Sequence, residues 1–198
     1  MKMNEIVFIM GKSASGKDKI YKTLVEEFKG KFKTVTMYTT RPMRVGEKEG
    51  VEYHFVDDEK ALEFEKAGKV IELRAYDTVY GLWKYFTADD GQIDLTKKDR
   101  YIIIGTLEAY EKFLEFYGKE HLLPIYIEVD DDIRLTRAIK REKKQEKPNY
   151  EELCRRFLAD TKDFNEENIK RAGIEVRFQN NTKLEDCIKR IEDYILAN

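Results

Sequence analysis

The stretch IVFIMGKSASGKDKIYKTLVEEF, residues 6–28, contains three different patterns in succession. Ile6–Met10 is a continuous apolar run, which predicts a strand buried on both faces, as in a parallel sheet. A loop bounded by glycines follows. Ile20, Leu24 and Phe28 then recur every four residues, which predicts one face of a helix. The chain is therefore expected to begin with a strand, a glycine loop and a helix.

The loop has the Gly-x-x-x-x-Gly-Lys spacing of a phosphate-binding loop. Glycines allow the backbone to turn tightly, so that successive N–H groups point at phosphate oxygens, and the helix adds the positive end of its dipole. Lys17 would bring a full charge to the β and γ phosphates. Because the motif lies between a buried strand and a helix, we interpret it as a triphosphate site rather than a chance glycine turn. The candidate residues are Gly11, Lys12, Ser13, Ala14, Ser15, Gly16, Lys17 and Asp18.

Asp18 occupies the position where this motif has Ser or Thr, whose hydroxyl is a ligand of Mg²⁺. A carboxylate is also a hard oxygen ligand, so Asp18 is a candidate magnesium ligand. Aspartate is equally common near the N-terminus of a helix, where it caps N–H groups and favours the dipole. Both interpretations of Asp18 stay open at this point.

Strand and helix patterns alternate again from residue 101 onward. This alternation implies right-handed crossovers and a parallel sheet. The predicted fold class is therefore α/β, with a P-loop parallel sheet core flanked by helices. The predicted strands are Tyr101–Thr106, Leu122–Val129 and Ile174–Phe178, and the predicted helices are Leu107–Tyr117, Ile133–Lys144, Tyr150–Arg171 and Leu184–Leu196.

Residues 34–87 interrupt this alternation with short β-like segments and one short helix. We predict that they form an inserted α+β lobe, and that residues 1–33 and 88–198 form the core. The β-like segments are Val35–Met37, Glu52–Val56, Val70–Leu73 and Tyr80–Thr87, and the helix is Glu59–Lys66.

The composition of the chain disfavours several classes of protein. The 37 Lys and Arg residues nearly balance the 39 Asp and Glu residues, and the net charge of −2 disfavours a nucleic-acid partner. Two cysteines, Cys154 and Cys187, do not suggest a disulfide scaffold or a metal site, and we expect reduced thiols. The apolar run near the N-terminus is too short for a signal peptide or a membrane span, so we expect a cytoplasmic protein without a membrane partner.

The stretch YTTRPMRVGE, residues 38–47, is followed by GVEYHFV at residues 50–56. Two arginines three residues apart suit a phosphate group that needs multidentate binding. In this order, and after this type of loop, the motifs resemble those of guanylate kinases. The resemblance covers nearly the whole chain and is most specific between residues 38 and 81. It implies an enzyme that uses ATP and Mg²⁺ to phosphorylate GMP or dGMP, with the lobe as its monophosphate-binding part.

The resemblance also implies roles for single residues in the acceptor site. Arg41, Arg44 and Tyr53 match the clamp on the acceptor phosphate, and Tyr80, before Gly81, matches a second hydroxyl donor. Glu72 matches the residue that reads guanine. Guanine presents two adjacent N–H donors, and an ionised carboxylate only accepts, whereas adenine lacks that donor pair.

A helical lid at about residues 134–156 is expected from the same resemblance. Arg137 and Arg141 lie four apart and share a helix face, and Arg156 lies near the start of the next helix. Arginines of the lid would neutralise charge on the transferred phosphoryl group. Asn180 matches a residue beside the adenine. The implied catalytic residues are Lys17, Arg41, Arg137, Arg141 and Arg156.

The chain departs from the family at three places. Met37 and Tyr38 stand where the family has a serine that helps to read guanine, and Leu82 stands where it has Ser or Thr. Ile104-Gly105-Thr106 replaces an Asp-x-Asp sequence that faces nucleotide and metal. One hypothesis is that Asp18 restores, from the loop, a carboxylate that is lost from the strand.

Two alternative functions stay open. A kinase of the same fold could phosphorylate a different phosphorylated acceptor, which the apolar or smaller residues at positions 37, 82 and 106 favour. The other alternative is a non-catalytic guanylate-kinase-like binding module. The presence of Lys17 and of both loop glycines is evidence against it. The expected partners are nucleotide substrates, and the expected assembly is a monomer or a homodimer.

Overall fold

The computed structural model describes residues 5–44, 46–78 and 81–198. The strands within these ranges are β1 Ile6–Gly11, β2 Lys33–Thr34, β3 Tyr38–Thr39, β4 His54–Phe55, β5 Val70–Thr78, β6 Gly81–Ala88, β7 Tyr101–Gly105, β8 Leu122–Glu128 and β9 Arg177–Gln179. The helices are α1 Lys17–Glu27, α2 Asp58–Lys66, α3 Leu107–Tyr117, α4 Asp131–Glu142, α5 Tyr150–Asp163, α6 Glu166–Arg171 and α7 Leu184–Ala197.

The main sheet has the strand order β2-β7-β1-β8-β9, and all of its pairs are parallel. Strand β1 lies at its centre and is buried along its whole length. Ile6, Phe8 and Met10 face one apolar cluster, and Val7 and Ile9 face another that includes α1 and α7. The α/β prediction, and the prediction that the first strand is buried on both faces, are therefore confirmed.

A smaller sheet with the order β4-β3-β6-β5 is formed from residues 38–88, with antiparallel pairs on both sides of β6. Helix α2 covers it, with Ala61 packed against Phe86. Tyr38 stacks on Phe86, with ring centroids 5.1 Å apart, and donates a hydrogen bond to Asp90. Thr34 pairs with Ile102 in the main sheet, so the smaller sheet begins after the first residue of the predicted lobe.

Three of the predicted segments are wrong in detail. Tyr150–Arg171 is two helices, because Asn165 accepts a hydrogen bond from the Asn168 N–H and caps a new helix. Val35–Met37 is not a strand but connects β2 to β3. The strand expected at Ile174–Phe178 lies at Arg177–Gln179, where it pairs with β8. No helix among the described residues is long and apolar enough to cross a membrane.

Candidate functional site

The loop between β1 and α1 needs glycine at both of its ends. A Cβ atom at Gly11 would lie 2.6 Å from the Ile127 carbonyl oxygen, and Gly16 has a φ of 88° that side chains rarely adopt. Ala14, with a φ of 63°, is the one non-glycine residue with positive φ among those described, a conformation that costs about 1 kcal/mol. Strain of this kind collects where a backbone is shaped for a ligand.

The start of α1 is open to an anion. Gly16 is the N-cap and supplies no side-chain acceptor, so the N–H groups of the first turn are left without a capping side chain. Lys17 follows directly, with its Nζ atom 3.8 Å from the Asp18 carboxylate. Two buried oxygens nearby, Ser15 Oγ and Asn180 Oδ1, have no hydrogen-bond partner among the residues that the structure describes. This cradle of N–H groups and a lysine suits phosphate oxygens.

Asp18 lies in the first turn of α1 and forms no capping hydrogen bond. Its side chain is 78% exposed, and its ion-pair partner is Lys17. Asp18 is therefore not a capping residue, and what remains of that interpretation is a favourable interaction of its charge with the helix dipole. Within residues 5–44, 46–78 and 81–198, no cluster of three or more His, Cys, Asp or Glu side chains could hold a metal alone. Mg²⁺ is often held by one or two carboxylates together with substrate phosphates, and an exposed Asp18 beside the loop fits that arrangement.

Helices α4 and α5 are tied to the loop through Arg134, whose side chain is only 1% exposed. Its guanidinium group binds Asp131 at 2.9 Å and Asp160 at 3.2 Å, and it lies 3.9 Å from the Phe157 ring centroid. Asp160 also accepts a hydrogen bond of 2.8 Å from the Ser13 N–H. The sequence patterns pointed to other arginines and missed this link, which joins the loop to the helices of the expected lid.

The predicted lid arginines lie around the same loop. Arg137 donates to the Asn180 carbonyl oxygen at 2.8 Å, and the Asn180 side chain donates to the Ser15 carbonyl oxygen at 2.9 Å. Asn180 thus holds the loop backbone in this structure. Arg141 and Arg156 line one crevice with Ser13, and Arg156 also pairs with Glu152 at 3.1 Å.

The two arginines expected to hold the acceptor phosphate differ in their surroundings. Arg41 has a side chain only 4% exposed and binds Glu47 through two hydrogen bonds of 2.8 and 2.6 Å. Its guanidinium carbon lies 5.3 Å from the Tyr53 ring centroid. Arg44 is exposed, and its backbone N–H donates to Glu47, whereas its guanidinium has no hydrogen-bond partner in the described ranges. Arg41 is therefore held rigidly, and Arg44 is not.

Glu47 is the acceptor that holds this turn. Hydrogen bonds from Arg41, and then from the Arg44 N–H, lower the pKa of Glu47 to about 2. A lowered carboxyl pKa means that the pair is intact above the ordinary carboxyl pKa and is lost only as the pH falls towards 2. Burial raises the pKa of Tyr53, which stays a neutral hydroxyl donor. The arrangement keeps its charges across the neutral range.

Glu72 is buried on β5 and does not stand alone. Arg74, two residues later on the same strand face, donates to both of its carboxylate oxygens, and the Thr87 hydroxyl donates to one of them at 3.0 Å. The sequence analysis did not give Arg74 a role, although the i, i+2 spacing placed it beside Glu72. Tyr80 lies outside the described residues, and Gly81 begins β6.

A cleft of about 590 Å³ runs between α1 and two segments of the chain at residues 34–37 and 50–53. Asp18 lies on one of its walls and Tyr53 on the other, and Met37 and Ile104 also line it. The structure thereby brings Asp18, the last residue of the candidate phosphate site, and Tyr53 of the expected phosphate clamp to one cavity of a size usual for small-molecule sites. Thr106, at the position where the family has a carboxylate, has a structural role, because its hydroxyl accepts a hydrogen bond from the Ala109 N–H and caps α3.

The sequence and the fold of this chain were compared with those of known proteins, and both comparisons indicate one family. A family model described as Guanylate kinase matches residues 2–198. The guanylate kinase of Mycoplasma mobile is 30% identical to this chain, over 98% of the chain and 94% of that protein. The guanylate kinase of Anaplasma phagocytophilum is 27% identical over 86% of the chain and 72% of that protein. The crystal structure of guanylate kinase from the same organism has a TM-score of 0.67 at 20% identity, over 100% of this chain and 87% of that one, and so shares its fold.

Proposed function

Because this chain belongs to the guanylate kinase family, we propose that it transfers the γ-phosphoryl group of ATP to GMP or dGMP, giving ADP and GDP or dGDP. The observation that carries the proposal is the common cleft of the phosphate loop and the lobe. Asp18, next to Lys17, lines one wall, and Tyr53, against Arg41, lines the other. A donor phosphate on the loop and an acceptor phosphate at the clamp would therefore face each other.

The donor side of the proposal assigns ATP to residues 11–18. The uncapped first turn of α1 and Lys17 support the β and γ phosphates, and Gly11 and Gly16 allow the backbone to approach them. Arg137, Arg141 and Arg156 are proposed to add positive charge from α4 and α5. The Asn180–Ser15 bond supports a role for Asn180 in shaping the loop beside the nucleotide.

The acceptor side assigns the phosphate of GMP to Arg41, Arg44 and Tyr53, and to Tyr80 before Gly81. Arg41 is preorganised by Glu47, so little side-chain entropy is lost when it binds an anion. The attacking group is an oxygen of the acceptor phosphate, which is already anionic. No general base is needed, and the protein's task is to align the two phosphates and to neutralise charge.

Mg²⁺ is proposed as the cofactor, with Asp18 as the side chain that would hold it near the loop. The ion would neutralise part of the negative charge on the phosphates during transfer. Asp18 contributes an extra negative charge compared with a hydroxyl ligand, which would strengthen its attraction for the ion.

We expect Asp18→Ser to raise the magnesium concentration needed for half-maximal activity by about tenfold, because one carboxylate ligand is lost. The measurement is a magnesium titration at saturating nucleotides. Glu26→Ser, which removes a carboxylate from the same helix and the same cleft wall, is the matched control. An unchanged magnesium dependence in Asp18→Ser would leave the residue with only its favourable position in the first turn of α1.

The proposed activity is tested by a coupled ADP-release assay with MgATP and a panel of nucleoside monophosphates. We expect GMP and dGMP to be turned over, and AMP, CMP and UMP to be at least 10²-fold poorer in kcat/KM, as for sites that read hydrogen-bonding groups. Turnover of another monophosphate without GMP would overturn the proposed acceptor. No turnover of any acceptor, together with no magnesium-dependent ATP binding in calorimetry, would indicate a binding module.

A different acceptor is the second candidate, and one observation favours it. Glu72, the expected guanine reader, is already paired with Arg74, and Met37 lies beside that pair. The same panel decides between the two candidates.

Two further assignments concern the location and the assembly of the protein. Both cysteines are free thiols, Cys187 buried and Cys154 exposed, which supports the proposed cytoplasmic location. A monomer or homodimer without a nucleic-acid partner stays a prediction.

A further inference from the structure

An ion pair lies buried in the lobe at the position expected for base recognition. Arg74 Nε donates to Glu72 Oε2 at 2.9 Å, and Arg74 Nη2 donates to Glu72 Oε1 at 3.2 Å. The Thr87 hydroxyl donates to Glu72 Oε1 as well. The Glu72 side chain is 1% exposed, whereas that of Arg74 is 12% exposed. The carboxylate is enclosed, and the guanidinium is the more accessible of the two groups.

This pairing conflicts with direct reading of guanine by Glu72. The N1–H and N2–H groups of guanine would both need acceptor positions on the two oxygens to which Arg74 already donates. A carboxylate has about four lone-pair positions, and Arg74 and Thr87 use three of them, so only one, on Oε2, is left for two N–H donors. Accepting both would require Arg74 to move, which breaks a buried ion pair and separates two charges that are largely shielded from water. Arg74 Nη2 also lies 3.6 Å from the Met37 sulfur atom, so the guanidinium is held from a second side.

Arg74 retains donors for a ligand. A guanidinium group carries five N–H donors. Glu72 engages two of them and Met37 a third, through a weak sulfur contact. The two donors of Nη1 have no hydrogen-bond partner within the described part of the chain. Met37 lines the 590 Å³ cleft, and Tyr85, which pairs with Arg74 across β5 and β6, packs edge-on against Tyr53 of the clamp.

We propose that Arg74 is a specificity-determining residue of the acceptor site, which reads guanine on its O6/N7 edge, and that Glu72 is the positioning residue that holds it. The inference rests on the proposed function. The end of the guanidinium, with one donor of Nη1 and the Nη2 donor that makes only the weak Met37 contact, forms a fork that is complementary to the adjacent O6 and N7 acceptors of guanine. Adenine presents an amino donor in place of O6 and is rejected by the same fork.

The test uses the unmodified protein and two analogues that separate the edges of the base. IMP lacks the 2-amino group but keeps O6 and N7, and 7-deaza-GMP lacks only the N7 acceptor. We expect kcat/KM for IMP to be within about threefold of that for GMP, and kcat/KM for 7-deaza-GMP to be about 10-fold to 10²-fold lower, the range for a bidentate arginine contact. The reverse order, with a poor IMP and a good 7-deaza-GMP, would show that Glu72 reads the base and would overturn the inference.

Two variants extend the test. Arg74→Ala is expected to remove discrimination against 7-deaza-GMP and, by freeing the Glu72 oxygens, to make IMP about 10-fold poorer than GMP. Glu72→Gln keeps the shape but weakens the hold on Arg74, and should lower the ratio of GMP to 7-deaza-GMP activity, which a purely structural role would not change. Arg155→Ala, an exposed arginine paired with Glu152 on its own helix, should leave both ratios unchanged.

Failure of the inference differs from failure of the proposed function. GMP turnover with the reverse analogue order overturns only the role of Arg74. Absence of GMP turnover in the acceptor panel overturns the proposed function and the inference together.

Discussion

Replacing Lys17 by methionine is expected to lower kcat about 10³-fold, the largest effect of any single substitution in the site. The Nζ atom brings a full positive charge to the start of α1, beside first-turn N–H groups without a capping side chain, whereas the other lysine of the loop, Lys12, pairs with Asp131. Fixed charges that stabilise the transferred phosphoryl group commonly contribute 10²–10⁵ in rate. Methionine keeps the length and the apolar stem of the side chain, so the fold of the loop should be preserved. The measurement is kcat in the coupled assay at saturating MgATP and GMP.

Lys19→Met is the matched control, because Lys19 lies two residues further along α1 and is exposed. It removes the same charge from the same helix and should change kcat by less than threefold. Calorimetry of ATP binding to Lys17→Met separates an effect on nucleotide binding from an effect on phosphoryl transfer. If Lys17→Met retained more than a tenth of the kcat, the loop lysine would not be part of the transfer chemistry.

The core of this fold could be predicted because its signals are local. A continuous apolar run, a glycine loop and a four-residue stripe follow one another within residues 6–28, and each depends only on neighbouring residues. The glycines at 11 and 16 are required by contacts with Ile127 and Asn180, but their spacing alone was sufficient to locate the loop.

Where the prediction was wrong, a local signal competed with the overall pattern. The helical periodicity of residues 150–171 is continuous, yet Asn165 turns its side chain back onto the Asn168 N–H and starts a second helix. Asparagine is a strong N-cap, and Phe164 before it is buried against Tyr126. The capping hydrogen bond of one residue thus divides a helical pattern that extends over 22 residues.

The features of the site that were missed come from distant residues. Asp160 reaches the Ser13 N–H across 147 positions of sequence, and no spacing rule connects them. Arg74 is different, since it lies two residues from Glu72 and alternation in a strand already places both on one face. The resemblance assigns a function to Glu72 alone, so it does not indicate that Arg74 is its partner.

Arg41→Met is expected to lower kcat/KM for GMP by 10²–10³-fold while the KM for ATP changes less than threefold. Two effects combine. The preorganised guanidinium that faces Tyr53 is lost, and Glu47, whose carboxylate it neutralises, is left as an unpaired negative charge beside an anionic substrate. Steady-state kinetics with each substrate varied in turn separates the acceptor effect from the donor effect.

A double-mutant cycle can isolate the contribution of repulsion between the unpaired Glu47 carboxylate and the anionic substrate. Glu47→Gln alone should cost only a few-fold, because Arg41 stays in place against Pro42 and Tyr53. Combined with Arg41→Met, it should recover about tenfold of the lost kcat/KM, since the unpaired carboxylate is removed. Arg155→Met, an exposed arginine outside the clamp, is the control for loss of a positive charge. If the double variant were no better than Arg41→Met, Glu47 would act only as a support for the turn, and the whole loss would belong to the missing phosphate contact.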